Sequence, residues 1–352
     1  MDTRVVAVDL AKDVFEIAWT TAVGHVEGRR RLTRPQFERF LRELPAGTEL
    51  VMEACSSAHH WGRLCHRLGV VPILLPSQYV RPYVRRNKTD RSDAEALLEA
   101  RRCRGIACVP VKTADQQALQ SLHRVRTQWQ TARTARLNVI RGLLREYGLP
   151  LRAGAVTIHR VVPGLLADAA TAIPARLRHV LQSLLEEVRD LERRVRAIDQ
   201  QLSELADADP IARRLQTVPG VGVIVATSLL GSVPHIHAFR RGRQFASWLG
   251  LTPKEASSGL RYWRGGISKR GDVHLRCVLT HGARSVLFNA QRRARSHADR
   301  LTPIQRWVVE LAARRGYNKA VSALANKLAR IIWAVWRRDV DFAAEPRTPA
   351  AA

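Results

Sequence analysis

Two short apolar runs near the start of the chain each end at a carboxylate. Val5, Val6 and Val8 precede Asp9 in RVVAVDLAKDVFEIAW, and ELVMEAC repeats the arrangement with Glu53. Short runs rich in β-branched residues predict buried strands, and a further apolar run from Val14 to Trp19 predicts another. The sequence therefore predicts an amino-terminal sheet in which two strands finish at acidic residues.

Two more carboxylates follow in NKTDRSDAEAL, where Asp90 and Asp93 open a predicted helix. A spacing of three residues puts both on one helix face. Two carboxylates from strands and two from a helix could converge to hold Mg²⁺ or Mn²⁺, which take oxygen ligands and are usually completed by substrate phosphate. The alternative is that Asp90 and Asp93 only cap the helix, and that Asp9 and Glu53 only end strands.

The charge of the chain indicates a polyanionic partner. The 352 residues include 58 Lys and Arg against 31 Asp and Glu, which gives a net charge of +27. Much of the excess is Arg, which binds phosphate bidentately and stacks on bases, so nucleic acid is favoured over a membrane surface. With neither a spanning apolar stretch nor a signal peptide, the sequence predicts a cytoplasmic, nucleoid-associated protein.

The order of elements predicts an α/β domain followed by helices. Early strands, then alternating strands and helices, indicate a mixed sheet of the ribonuclease-H-like (RuvC-like) type over residues 1–112. Long helices, joined by a connection from Pro150 to Pro174, are expected over 113–206, and a mainly helical carboxy-terminal domain is expected over 207–342. Residues 343–352 are expected to be disordered.

The two long helices differ in what they display. The first, from Thr113 to about Tyr147, carries arginines with few acidic residues among them, which favours nucleic-acid contact over a merely solvated face. The second has a 4-3-4-3 apolar spacing from Leu177 to Leu205, which predicts a coiled-coil seam, either between subunits or in an antiparallel hairpin within the chain. The arginines in question are Arg124, Arg126, Arg133, Arg136 and Arg141.

Two motifs mark the carboxy-terminal region. VPGVG places Gly220 and Gly222 in a turn before a helix, as in a helix-hairpin-helix motif that holds the DNA backbone, although an ordinary αα-hairpin turn has the same pattern. Further on, Ser257 and Ser258 precede Gly259, and the cations that follow could neutralise a scissile phosphate. A plain loop of turn-forming residues is the competing interpretation. Those cations are Arg261, Arg264, Lys269 and Arg270.

Taken in order, these motifs resemble the DEDD transposases of bacterial insertion sequences, which join a RuvC-like domain to a serine-bearing transposase domain. The resemblance rests on AVDLAKDVFEIA, MEACSSAHHWGR, NKTDRSDAEAL, VPGVG, GLTPKEASSG, RGGISKRGDVHLRCVL and NKAVSALANKLARIIWAVW, and it covers nearly the whole chain.

The resemblance implies a metal-dependent recombinase of double-stranded DNA, acting on element ends and target and guided by a structured non-coding RNA. Asp9, Glu53, Asp90 and Asp93 would bind Mg²⁺, and Ser258 would form a covalent link to DNA, with Ser257 as its neighbouring rival. A homo-oligomer is expected, a dimer or a tetramer on DNA.

Two other functions remain open at this stage. A junction-resolving or RNase-H-type nuclease would use a metal-activated water and form no covalent intermediate. A non-enzymatic nucleic-acid-binding protein would need only the positive charge.

Overall fold

The computed structural model describes residues 5–21, 25–84, 90–152 and 154–344. The chain forms two compact units, 1–116 and 117–352, so the division falls four residues from the boundary predicted after residue 112. The predicted disordered tail, 343–352, lies outside the described residues except for its first two positions. Within the described residues, no helix combines the length and apolar character needed to cross a membrane.

The first unit is built on a mixed five-stranded sheet with helices on both faces. Its strands are β1 (Val5–Asp9), β2 (Val14–Thr20), β3 (Gly28–Thr33), β4 (Glu49–Glu53) and β5 (Val71–Leu75). Its helices are α1 (Arg34–Glu43), α2 (Ala58–Arg67), the single turn α3 (Ser77–Val80) and α4 (Asp90–Arg102), with a 3-10 turn at Arg81–Tyr83.

The strand order is β3-β2-β1-β4-β5, in a mixed sheet that is consistent with the predicted ribonuclease-H-like type. β1 pairs antiparallel with β2 and parallel with β4. Side chains alternate between the two faces, so Val6 and Val8 pack with α1 and α2 whereas Ala7 packs with α4. The α1 and α2 face is closed by three contacting aromatic rings, Phe15, Phe37 and Trp61.

The second unit is helical apart from one hairpin. Its elements are α5 (Ala114–Glu146), α6 (Ala155–Ala167), α7 (Ala175–Ala208), α8 (Pro210–Leu215), α9 (Val223–Ser232), α10 (Gly242–Trp248), β6 (Pro253–Glu255), β7 (Arg264–Ile267), α11 (Val273–Ser296), α12 (Pro303–Arg315) and α13 (Tyr317–Arg338). Short 3-10 turns lie at Ile236–Ala238 and Ala298–Arg300. α6 occupies a stretch that was expected to be only a connection.

The long helices α5 and α7 run antiparallel within the chain. The carboxy-terminal end of α5, helix α6 and the amino-terminal part of α7 share a core that includes Ile140, Leu144, Ile158 and Leu181. Leu181, Val188, Ile198 and Leu202 of the predicted seam are buried, whereas Leu205 is 46% exposed. Much of the apolar stripe is therefore used inside one chain, and a coiled coil between subunits stays a prediction.

The remaining helices share a core with α9, most of whose residues are apolar. Seven of its ten residues are buried, and the surrounding core draws on α8, α10, α11, α12 and α13. Ala206, near the end of α7, belongs to the same core. Helices from both sides of the boundary predicted at residue 206 thus pack in one unit.

Candidate active site

The sheet carries Asp9 and Glu53 at the same end and on the same face. β1 and β4 are adjacent and parallel, with Val8 opposite Met52, so the next residues, Asp9 and Glu53, are neighbours in register. Because side chains alternate along a strand, residues 9 and 53 share the face of Ala7 and Val51, which is the face covered by α4. Both acidic residues are half-buried.

α4 places the other two acidic residues toward that end of the sheet. At its carboxy-terminal end, Arg101 donates two hydrogen bonds, of 2.9 and 2.8 Å, to the carboxylate of Glu49 at the start of β4. Its amino-terminal part therefore lies toward the opposite end, and Ala94 lines a small pocket with Glu16, the cross-strand neighbour of Asp9. Asp90 begins the helix, but its side chain lies outside the described residues.

Asp93 has an unusual environment for a carboxylate. Its Oδ1 atom is buried and has no hydrogen-bond partner among the described residues. A buried carboxylate oxygen without a donor is costly, because desolvation is not compensated. A cation bound at this oxygen would remove that cost.

The donor set fits a hard divalent cation in type, although the described side chains form no closed cage. No three of the described acidic, His or Cys side chains lie close enough together to hold a metal ion. Mg²⁺ commonly binds through one or two carboxylates together with waters and substrate phosphate, so it needs no preformed cage. Asp9, Glu53 and Asp93 would offer carboxylate oxygens to such an ion, and Asp93 has a buried oxygen with no partner among the described residues.

Ser258 lies in the second unit, at the tip of the β6–β7 hairpin. Its backbone N–H donates to the carbonyl of Arg261 and its carbonyl accepts from the Arg261 N–H, both at 3.0 Å. These bonds close a two-residue turn of Gly259 and Leu260, and the φ of +57° at Gly259 is one that favours glycine. Leu260 is 99% exposed, so the tip projects into solvent.

The two candidate serines differ in their hydrogen bonding. The Ser257 hydroxyl donates to the Glu255 carboxylate at 3.1 Å and accepts from the backbone N–H of Trp263 at 3.3 Å. The Ser258 hydroxyl is exposed and bonds to no described residue. Ser257 therefore helps to hold the hairpin, and Ser258 is the serine whose oxygen remains available.

Hydrogen bonds fix the base of the hairpin to the helical core, while the hairpin cations form no ion pair with a described residue. Arg276 donates through Nη1 to the carbonyls of Leu249 and Arg270, each at 3.1 Å. Asn326 of α13 donates to the carbonyl of Leu251 at 3.1 Å. The exposed side chains predicted to meet phosphate form no ion pair with any described residue; they are Arg261, Arg264, Lys269 and Arg270.

The arginines of α5 fall into two groups. Arg126, Arg133 and Arg136 pair with acidic residues of α7, in order Asp199, Glu192 and Glu187, at 2.5, 2.7 and 2.9 Å. Arg124 and Arg141 instead bond to neutral side chains, Gln120 and Asn138. The acidic partners that the α5 sequence lacks are supplied by the other long helix.

One of these pairs belongs to a small network. Glu192 accepts hydrogen bonds from Arg133 and from His159 of α6, so α5, α6 and α7 are joined at one carboxylate. Burial by itself would raise the pKa of Glu192, but the hydrogen bonds from Arg133 and His159 outweigh it and lower that pKa. The predicted nucleic-acid role of Arg133 therefore competes with a structural one.

The glycine turn before α9 has one packed and one open position. Gly220 has a φ of +79°, and a side chain there would meet the carbonyl oxygen of Gly282 in α11 at 2.7 Å, so this glycine is needed for close helix packing. Gly222 is exposed, has open space around it and is the N-cap residue of α9. Of the two, Gly222 has the geometry to approach a phosphate.

A buried polar cluster was not anticipated from the sequence. His123 of α5 is 2% exposed, and its Nε2 lies 3.0 Å from the hydroxyl of Thr227 in α9. The hydroxyl of Ser228 lies 3.1 Å from Nε2 of His274 in α11. Burial, helped by His274 and Arg126, lowers the pKa of His123 to about 4. The available signal was spacing, since His123 follows the apolar Leu119 by four residues.

Comparison with known proteins identifies related sequences for nearly the entire chain. The family model described as "Transposase IS116/IS110/IS902 family" matches residues 212–298, and a second transposase model, for the DEDD type of IS110, matches residues 6–149. The first match includes the hairpin with Ser258 and the second includes all four predicted acidic residues.

Individual relatives are similar over their full length. A probable family 20 transposase of Pseudomonas aeruginosa is 41% identical, covering 97% of this chain and 99% of the relative. The transposase for insertion sequence element IS1111A of Coxiella burnetii is 40% identical, covering 97% and 92%. The transposase for element IS1328 of Yersinia enterocolitica is 34% identical, covering 97% and 99%.

Proposed function

Because the chain belongs to the IS116/IS110/IS902 family of insertion-sequence transposases, we propose that it cuts and rejoins DNA through the hydroxyl of Ser258. Asp9, Glu53, Asp90 and Asp93 would hold Mg²⁺ for this reaction. The observation that carries the proposal is the exposed Ser258 hydroxyl at the hairpin tip, which bonds to no described residue, beside a Ser257 hydroxyl that is already hydrogen-bonded.

The proposed reaction is a pair of transesterifications. The Ser258 oxygen attacks a DNA phosphorus, the bond from phosphorus to one deoxyribose oxygen breaks, and the serine proton leaves while the departing oxygen gains one. A DNA hydroxyl then attacks the phosphoserine, restoring a DNA phosphodiester and the free serine. Each step exchanges one phosphate ester for another, so no external energy source is needed.

In the proposed reaction, some residues position the hairpin and others supply positive charge to the scissile phosphate. Arg261, Arg264, Lys269 and Arg270 lie on the same hairpin as Ser258 and have no acidic partners among the described residues, so their charge is available to a scissile phosphate. Arg276 and Asn326 hold the base of the hairpin in place. Bound Mg²⁺ would supply electrostatic stabilisation of the attacking and leaving oxygens.

Wider nucleic-acid contacts follow from the excess of positive charge. The net charge of +27 suits a protein that neutralises many phosphates at once. Besides the hairpin cations, the fold leaves Arg124 and Gly222 exposed among the predicted contacts, whereas Arg141 is half-buried. We include a structured guide RNA among the partners, since base pairing by RNA can supply sequence choice that backbone contacts lack. Sequencing RNA that copurifies with the protein tests this, and recovery of no discrete RNA species would contradict it.

The covalent step is tested with matched serine variants. Wild-type protein and Ser257→Ala should form a protein–DNA adduct that survives denaturant, whereas Ser258→Ala should form none while still binding DNA. An adduct in Ser258→Ala, or loss of the adduct only in Ser257→Ala, would show that Ser258 is not the nucleophile. Strand cleavage by Ser258→Ala at the wild-type rate without an adduct would instead identify a nuclease that uses activated water.

A further inference from the structure

A groove lies between the β6–β7 hairpin and α13. It has a volume of about 1540 Å³ and is lined by residues of α10, the hairpin, α12 and α13, all within the second unit. Sites for small molecules usually measure roughly 300 to 1000 Å³. The groove is therefore large enough for a segment of a polymer.

The described residues that line the groove include several cations and no acidic residue. Seven of its 22 lining residues are Lys or Arg, and none is Asp or Glu. None of the seven forms a salt bridge with a described residue. Six of them are exposed, namely Arg241, Arg243, Lys254, Lys269, Lys319 and Arg330. Charge complementarity therefore calls for an anionic chain such as a phosphate backbone.

Three tryptophans stand among these cations. Trp263 is 51% exposed, and its ring lies against Gly265, where a side chain would meet that ring at 2.6 Å. Trp307 is half-buried beneath the ammonium group of Lys327, which is 4.2 Å from its ring centroid. Trp333 is anchored by a hydrogen bond of 2.9 Å from Nε1 to the carbonyl of Phe239.

Cations interspersed with aromatic rings form the kind of surface that binds single strands. The cations follow the backbone while bases stack on the rings. Bases in a duplex already stack on each other and are not open to such rings, so this surface favours unpaired nucleotides. β7 contributes Gly265, Gly266 and Ile267 to the groove, and it begins three residues after Arg261, which closes the turn with Ser258.

We propose that this groove binds unpaired nucleotides of a nucleic-acid strand, with their phosphates on the exposed cations and at least one base on Trp263. The further statement that the bound strand continues to Ser258 rests on the proposed function. The binding itself does not, because the groove is complete without any chemistry at the serine.

The phosphate contacts are tested with charge-matched double variants, all in a Ser258→Ala background. Lys319→Gln/Arg330→Gln removes two groove cations, and Arg314→Gln/Arg315→Gln removes two exposed cations of α12 that do not line it. Binding of a labelled single-stranded DNA, an RNA of the same sequence and a DNA duplex is followed by fluorescence anisotropy over a range of salt.

The groove variant should lower the slope of log K against log salt by about 1.4 on single strands, since each phosphate contact contributes about 0.7. The control should leave that slope unchanged. A larger loss of binding on the RNA or on the single-stranded DNA identifies which strand the groove holds, and either result supports the proposal. An unchanged slope in the groove variant, or an equal loss on duplex and single strand, overturns it.

The stacking contact is tested with Trp263→Leu against Tyr262→Leu, which removes an 81% exposed ring from the adjacent position outside the groove. Trp263→Leu should weaken single-strand binding roughly 5- to 150-fold, the range for loss of one aromatic–base stack, with the salt slope retained. Equal effects of the two variants overturn the proposal. Failure of covalent adduct formation in wild-type protein, with these binding results intact, would contradict the proposed function alone.

Discussion

Single residues in this transposase have environments that their neighbours in sequence do not share. Asp93 has a buried oxygen without a donor, whereas Glu99, on the same helix, pairs with Arg102 and is 53% exposed. The Ser257 hydroxyl is hydrogen-bonded, whereas the hydroxyl of the adjacent Ser258 bonds to no described residue. The candidate chemistry depends on such differences between single side chains.

Asp93→Asn should abolish strand cleavage and the stabilisation of the protein by Mg²⁺, because it removes the charge while keeping the shape. For a site at 100 times its Kd, that stabilisation amounts to about 2.7 kcal/mol. Thermal unfolding with and without Mg²⁺ measures it, and Glu99→Gln on the same helix serves as the control. A magnesium response in Asp93→Asn equal to that of wild type would count against Asp93 as a ligand.

The stability of the protein should fall on acidification below about pH 6.5, the ordinary pKa of histidine. Burial lowers the pKa of His123 to about 4, so between these values the unfolded chain binds more protons than the folded one. The loss should approach about 1.4 kcal/mol per pH unit for His123, and His274, whose pKa burial also lowers, acts with the same sign.

The pH prediction is checked by urea unfolding at pH 7.5 and 5.5. His123→Gln should lose less stability than wild type over this interval, since it keeps a hydrogen-bonding side chain without a titrating ring. His281→Gln, at an exposed position of α11, should behave as wild type. Identical pH dependence in all three proteins would refute the assignment to His123.

At the scale of elements, α5 has two kinds of arginine because it faces α7 along part of its surface. Arg126, Arg133 and Arg136 are matched to acidic residues of α7 in antiparallel order. Arg124 is exposed and paired only with a glutamine of its own helix. The same residue type is thus expected to serve stability in one case and binding in the other.

Arg133→Gln should destabilise the protein by about 1 kcal/mol, because the carboxylate of Glu192 keeps only His159. Arg124→Gln should leave stability unchanged and reduce the salt slope of duplex binding by about 0.9. Urea unfolding and anisotropy titrations on both variants make the comparison. If Arg133→Gln weakened binding as much as Arg124→Gln without loss of stability, the division would be wrong.

For the whole molecule, the central feature is that the proposed catalytic residues belong to two units. The four acidic residues belong to 1–116, and Ser258 belongs to 117–352. A site that needs both could be completed within one chain or between subunits. A symmetric oligomer would allow the second arrangement.

We expect a composite site, with carboxylates from one subunit and the serine from another. Mixing Ser258→Ala with Asp9→Ala should then restore strand transfer, which each lacks alone, to about a quarter of the wild-type sites, because random pairing makes half of the dimers mixed and each has one intact site. Strand-transfer assays on the mixture measure this. No recovery, with mixed oligomers demonstrated by affinity tagging, would favour a site within one chain.

Local patterns allowed much of the framework to be predicted from sequence. The strands ending at Asp9 and Glu53, the helix from Asp90 and the long helices all follow from periodicity, which depends on which face of an element is buried. The family inferred from the motifs is confirmed by its relatives. α6 was missed, because its flanking prolines and glycines indicated a connection rather than a helix.

By itself, the sequence determined which residues are apolar, which are acidic and which segments are helices or strands, because these depend on neighbours within a few positions. Only the tertiary structure decided partners: the acidic residues of α7 that bind the α5 arginines, the hydroxyls around His123, and the groove that unites Arg241, Lys254 and Lys319. Those contacts join residues tens of positions apart. The apolar pattern of a helix or strand indicates which of its faces is buried, but it does not indicate which distant side chain packs against that face.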